Sequence, residues 1–408
     1  MKGIPEIRFN KYSEKWESLN AGTLFYPVTD KGYPELPVLS ASQEEGMIPR
    51  KDIGINMSYS RKNVGGYKRV LPGDFVVHLR SFQGGFAHSA SEGITSPAYT
   101  VLRLNKERNQ DDNFWKHYMT SMNFIDSLRI VTYGIRDGRN INVSEFLDTN
   151  LIFPKDKQEQ TAIGKFFDDL DEYISSQALE LQKLKNIKKA CLEKMFPKEG
   201  ELVPEIRFNG FEGNWVIKTL GELFTKVTEK NIDNSLTETF TNSAQEGIIS
   251  QRDYFNHDIS NIENINVYYV VRPDDFVYNP RMSVTAPVGP INRNKLLRSG
   301  VMSPLYSVFR AKDERTDLTF LEYFFKTGKW YNFMWKNGDN GARGDRFSIR
   351  DEVFQLLPII IPPSKKEQIS IANYFSSLDK FICSTSNKLD KLKQIRKGLL
   401  EKMFIANN

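Results

Sequence analysis

Six residues near the start of this chain, Pro5-Glu6-Ile7-Arg8-Phe9-Asn10, return unchanged as Pro204-Glu205-Ile206-Arg207-Phe208-Asn209. Five more, Leu192-Glu193-Lys194-Met195-Phe196, return as Leu400-Glu401-Lys402-Met403-Phe404. The first pair is offset by 199 positions and the second by 208. A chain of 408 residues built this way is one unit written twice, which predicts two domains of a single fold plus connecting elements.

The two copies can be aligned throughout. Trp16 meets Trp215, and Leu24-Phe25 meets Leu223-Phe224. Pro72-Gly73-Asp74-Phe75-Val76 meets Pro273-Asp274-Asp275-Phe276-Val277, and Arg80 meets Arg281. Ser96-Pro97-Ala98-Tyr99 meets Ser303-Pro304-Leu305-Tyr306, and Gly134-Ile135-Arg136 meets Gly341-Ala342-Arg343. The offset grows in small steps, so the insertions fall mid-unit, where loops tolerate them. Ends kept alike imply one kind of partner met twice, and divergent middles imply two different targets.

Each unit has a front and a back. The front mixes strand-like runs, such as 74–79 and 99–104, with helical stretches such as 112–128, giving a mixed α/β (α+β) domain. The back reads as one long helix. Ile163, Phe167, Leu170, Ile174, Leu181 and Leu184 follow gaps of 4, 3, 4, 7 and 3, the seam of a heptad repeat. Ile371, Phe375, Leu378, Ile382, Leu389 and Leu392 repeat those gaps. Such a helix, about 57 Å long at about 1.5 Å per residue, is a spacer whose seam needs a partner. The other copy supplies one if the helices pair antiparallel as a coiled coil around a pseudo-twofold axis. Met403-Phe404 should then lie near Pro5, as Met195-Phe196 lies near Pro204, in a quasi-circular molecule. The expected domains are 1–155, a spacer helix 156–197, 198–363, and a second spacer helix 364–408.

No catalytic site emerges. There is no phosphate-binding loop and no dinucleotide fingerprint. The four histidines do not recur at equivalent positions or at metal-ligand spacing. Asn279-Pro280 lacks the second proline of an amino-methyltransferase motif, and Asp74 and Asp275 fit turn carboxylates better than nuclease ligands. Tyr99 and Tyr306, with apolar neighbours, fit a core role better than base stacking. The two cysteines, Cys191 and Cys383, form no disulfide framework. Together with the absence of an apolar leader or an 18-residue apolar run, they point to a cytoplasmic protein with no membrane partner. A net charge of +5 permits a polyanionic partner without requiring one.

Arginine is the chemistry both copies keep. Arg80, Ser81 and Gln83 close one strand, and Arg281 and Ser283 close its equivalent. Arg136, Arg139 and Asn140 match a second loop containing Arg343 and Arg346. Arginine grips guanine O6/N7 with two donors, and Gln or Asn grips adenine N6/N7. These loops are therefore candidate DNA contacts. The competing account is structural pairing of these arginines with Asp137 or Asp345.

Paired Ser-Pro-x-Tyr motifs, and Pro154…Glu159-Gln160…Ile163 and Pro363…Glu367-Gln368…Ile371 leading into the heptad helices, make the whole chain resemble the specificity subunit of type I restriction–modification systems. The resemblance implies two target recognition domains, each reading half of a bipartite, asymmetric site in the major groove of double-stranded DNA. It implies helices that set the spacer length and, through the seam residues above, dock two modification subunits and the restriction subunits. It also implies no catalysis, metal or cofactor in this chain. S-adenosylmethionine, ATP and Mg²⁺ would belong to the partner subunits. A protein-binding adaptor and a self-contained enzyme are the alternatives from other classes.

Overall fold

A computed structural model describes residues 3–42, 45–53, 61–133, 140–255, 262–340 and 344–405. The chain divides into two compact units, Met1–Leu179 with Ser386–Asn408, and Glu180–Thr385. The division cuts both long helices, Lys157–Lys194 and Lys365–Met403, near their middles. Each unit therefore holds the start of one helix and the end of the other.

The first unit is built on a four-stranded sheet in the order Phe25–Val28, Thr100–Leu104, Phe75–Val77, Ala87–His88. Short hairpins and ribbons surround it. Glu17–Asn20 pairs with Asn150–Phe153, the strand that leads into the first long helix. The second unit has the same plan, with the order Phe224–Lys226, Ser307–Ala311, Phe276–Tyr278, Ile291–Arg293. Val216–Thr219 pairs there with Pro358–Ile361. Every named strand pair is antiparallel, so the domains are α+β rather than parallel α/β.

The Pro-x-Asp-Phe-Val repeat is a turn that enters the central strand. The backbone N–H of Asp74 reaches the Leu71 carbonyl, with Gly73 at φ 90°. The equivalent turn puts Asp274 at φ 69°, in the left-handed region that Asp tolerates better than most residues. The following carboxylates, Asp74 and Asp275, are buried. Each accepts a bidentate pair from a neighbouring-strand arginine, Arg103 or Arg310, at 2.7 Å. Their role is the structural one expected from the sequence.

The stretch 112–128 is two helices, Asp112–Tyr118 and Met122–Ser127, because Ser121 caps the second by accepting the Phe124 N–H. The first of these abuts the long helix at Gly164, where a β-carbon would come within 2.8 Å of the Phe114 nitrogen.

The repeated ends turn inward. In the first unit the Ile7 N–H donates to the Lys402 carbonyl at 3.0 Å, and Lys402 pairs with Glu6 at 2.6 Å. In the second, Ile206 donates to Lys194 and Lys194 pairs with Glu205. Phe404 stacks on Phe167 at 5.7 Å and packs against Phe114, and Phe196 does the same with Phe375 and Phe320. The two ends of the chain therefore meet in one unit, as expected.

Arg8 grips the buried Glu159 through two hydrogen bonds of 2.6 and 2.8 Å, and the Trp16 indole donates to the same carboxylate. Arg207, Glu367 and Trp215 repeat the arrangement. Glu159 and Glu367 are 2% and 1% exposed. The adjacent Gln160 and Gln368 accept the N–H of Asp111 and Asp317, the caps of the next domain helix. The faithful parts of the repeat are thus used within each unit. The buried carboxylates serve the fold, while Ile4, Ile7, Val203 and Ile206 of the same end segments remain exposed.

Heptad positions also go inward. Ile163, Phe167, Ile371 and Phe375 enter the domain cores, which refines their assignment as helix-pairing residues. Leu170, Leu378 and Leu389 are buried or partly buried, and Ile174, Leu181, Leu184, Ile382 and Leu392 are half-buried. Within the first unit, Asp171 and Arg396 form a pair across the two helix segments. In the second, Asp379 and Lys188 do so at the equivalent positions.

Replacing Glu159 by Gln leaves the buried Arg8 cation without its counter-charge. The variant should lose about 3–5 kcal/mol of first-unit stability, read as a lowered denaturant midpoint for that unit. An unchanged midpoint would show the pair to be energetically idle.

Candidate nucleic-acid interface

The central strand of each sheet delivers its arginine loop to one end of that sheet. In the first unit Val77 pairs with Thr100, which places the loop 78–84 beside the Ser96-Pro97-Ala98-Tyr99 turn. That turn is closed by Tyr99 N–H to Ser96 O at 3.1 Å, with proline at its favoured second position. Tyr278 pairs with Ser307, so the second unit sets its 279–286 loop beside Ser303-Pro304-Leu305-Tyr306 in the same way. Tyr99 and Tyr306 are half-buried against apolar clusters, in keeping with a packing role.

His78 stands at the base of the first loop. Its ring lies 6.1 Å from that of Tyr99, and its Nδ1 accepts the Arg80 N–H at 3.3 Å. Burial, reinforced by the Arg80 charge, lowers its pKa to about 4. At neutral pH the ring is uncharged and free to accept that bond. Arg80 and Gln83 are exposed. Ser81 is not: it is fully buried, and its Oγ accepts the His78 N–H at 2.8 Å. Its assignment as a DNA contact is corrected, because its hydroxyl stabilises the loop from inside. Asn140 is exposed on a short strand opposite Tyr133, and that strand lies near the helix Ser81–Gly84. Arg136 and Arg139 lie outside the described residues.

The second unit joins its two arginine loops directly. Arg281 and Arg346 face each other across an antiparallel bridge. The Met282 N–H donates to Asp345 O at 3.0 Å, and the Phe347 N–H donates to Pro280 O at 2.8 Å. Arg281, Ser283 and Arg346 are all exposed. Arg343 lies outside the described residues. Asn279 is occupied structurally, donating to Asn242 O and accepting the Arg281 N–H, which leaves no amide for methyl-transfer chemistry.

Among the described residues, Arg80, Arg281 and Arg346 have no carboxylate partner. Arg69, Arg103, Arg207, Arg298 and Arg310 are all paired. Two unpaired guanidiniums held by backbone bonds on one exposed surface suit groove or phosphate contact better than fold stabilisation. Val284 and Thr285 are exposed beside them.

Residues 212–394 match a family model described as the type I restriction modification DNA specificity domain. No curated protein matches the chain. Its fold is that of a solved type I restriction-modification S subunit from M. genitalium, at 13% identity and a TM-score of 0.58, covering 98% of this chain and 99% of that one. A structure described as revealing complex assembly and conformational transition of the type I R-M system matches at 16% identity and a TM-score of 0.53, covering 96% and 98%. Among the described residues no helix is long and apolar enough to cross a membrane.

His88, like His78, is half-buried in the first unit, and its partial burial lowers its pKa to about 4. Both folded values lie below the unfolded value of about 6.5. Their contribution to stability is therefore complete above pH 6.5 and is lost as pH falls toward 4. First-unit stability should drop by at most about 3 kcal/mol per histidine over that interval. His88→Phe should show a shallower drop in denaturant midpoints measured from pH 7 to 4. A wild-type profile flat over this range would refute the assignment.

Proposed function

We propose that the chain is a type I restriction–modification specificity subunit, non-catalytic and sequence-reading, whose two units each read one half of a bipartite, asymmetric site in double-stranded DNA. The observation that carries this reading is the joining of Arg281 and Arg346, both exposed and without carboxylate partners among the described residues, by a backbone bridge. Arg80, Gln83 and Asn140 are the corresponding first-unit candidates. Their neighbours differ from those of the second unit, as two different half-sites require. Major-groove contacts from such loops confer specificity, and further contacts to phosphates confer register.

In this reading the long helices form an antiparallel coiled-coil spacer of a pseudo-twofold, quasi-circular molecule. The heptad seam and the closing of each unit by the far end of the other helix support that arrangement. The chain contributes specificity and geometry. Two modification subunits supply adenine methylation with S-adenosylmethionine, and restriction subunits supply ATP- and Mg²⁺-dependent cleavage. The work is cytoplasmic.

Because the seam residues are turned inward, docking falls to exposed residues on the helices. Tyr173 and Phe381 are equivalent, as are Ile187 and Ile395, and all four are exposed. Tyr173 and Ile395 belong to the first unit, and Phe381 and Ile187 to the second. Each unit so offers one exposed aromatic and one exposed isoleucine from its helix segments, a repeated set suited to a partner present twice.

Arg346→Ala should relax one half-site and spare the other, at about 1–3 kcal/mol for a lost bidentate base contact. Binding to a randomised duplex library by the complex with its partner subunits measures this. Equal weakening of both half-sites would reassign Arg346 to the phosphate backbone or to folding. The double change Tyr173→Ser and Ile395→Ser should remove one of two modification subunits from the purified complex and leave thermal unfolding of the chain unaltered. Retention of both copies would place docking elsewhere.

A further inference from the structure

Val284 is completely exposed, at 102% of its reference area. Single exposed apolar residues are common on protein surfaces, so exposure alone decides nothing. Its setting does. Ser283 and Ala286 exchange both backbone hydrogen bonds, at 3.0 and 3.2 Å, leaving Val284 and Thr285 as the tip of a two-residue turn. The Ser283 Oγ accepts a further bond from the Ala286 N–H, and Ala286 and Val288 are buried. The tip is therefore held on a fixed base. Neither tip residue has a positive φ, so the backbone neither requires nor excludes a valine. The valine has no core to fill.

The turn adjoins the bridged guanidiniums. Met282, one residue before it, is bonded to Asp345, the neighbour of Arg346. Val284 thus projects from the surface that carries Arg281, Ser283 and Arg346. The corresponding loop of the first unit carries Gln83, also exposed, on the short helix Ser81–Gly84. The two loops so present an amide in one unit and an aliphatic group in the other. An amide can pair with adenine N6/N7. A valine side chain has neither donor nor acceptor, and in the major groove the only base feature it complements is the C5-methyl group of thymine.

We propose that Val284 is a specificity-determining residue that reads a thymine methyl group in the half-site of the second unit. The proposal rests on the DNA-reading function argued above and assigns one position within it.

Deoxyuridine lacks only that methyl group. The complex of this chain with its partner subunits is bound to duplexes in which each thymine of one half-site is replaced in turn by deoxyuridine. The half-site is the one relaxed by Arg346→Ala. At one position the replacement should weaken wild-type binding about fourfold, the value of one buried methyl group. The same replacement should change binding of Val284→Ala less than twofold, while that variant binds the thymine duplex about as weakly as wild type binds the deoxyuridine one. The proposal is overturned if no replacement weakens wild type, if the half-site contains no thymine, or if the loss persists in Val284→Ala. In each of those cases specific binding remains and the DNA-reading function stands. Failure of that function looks different: the complex then shows no sequence preference with any duplex.

Discussion

The pair formed by Arg8 and Glu159, repeated as Arg207 and Glu367, is the constraint on which each unit depends. It joins an N-terminal segment to the first turn of a long helix, 151 residues away in one unit and 160 in the other. The same segment is bonded through Ile7 or Ile206 to the end of the other long helix. Three parts of the chain are thus tied at one point. A carboxylate buried to this degree is tolerable only when its lone pairs are filled, and the guanidinium and the Trp16 or Trp215 indole fill them. This need explains why the residues are repeated so faithfully.

Around that point the two copies differ in small, interpretable ways. Arg207 spends its remaining donors on the carbonyls of Glu212 and Gly213, the latter at φ 78°. The first unit has Glu14 in place of that glycine, and Arg8 Nη1 is left buried without a hydrogen-bond partner among the described residues. Glycine at a left-handed position is what lets the carbonyl turn toward the guanidinium. Gly164 against Ala372 is a second case: the glycine allows the first-unit helix Asp112–Tyr118 to approach more closely. Such differences alter packing and leave the plan intact. The differences in the arginine loops, by contrast, alter what faces solvent.

A loop presented by a well-packed sheet is a rigid reader. Neutral His78 and buried Ser81 hold the base of one loop, and the bridge between Arg281 and Arg346 holds the other. Each guanidinium has few carboxylates to compete for it, so its donors remain available for bases or phosphates. The same economy explains why the candidate docking residues lie on the helix exteriors. Tyr173, Ile187, Phe381 and Ile395 stay exposed there, at equivalent places in the two copies.

The sequence by itself determined the duplication, the long helices, the strands around Phe75 and Thr100 with their equivalents, and the arginine loops. These are local signals: identity at a fixed offset, a period of 3.5, or turn residues beside apolar runs. It did not determine which repeated residues face inward. Glu159, Gln160 and Arg8 are polar, and polar residues are ordinarily exposed. Only contacts with distant parts of the chain bury them, 151 positions away for Glu159 with Arg8 and 49 for Gln160 with Asp111. Nor did it separate Ser81 from Gln83, two polar residues in one short helix, of which one points into the fold and one away from it. The tertiary structure decided these assignments, because burial and hydrogen-bond satisfaction are properties of what surrounds a side chain and not of the side chain itself.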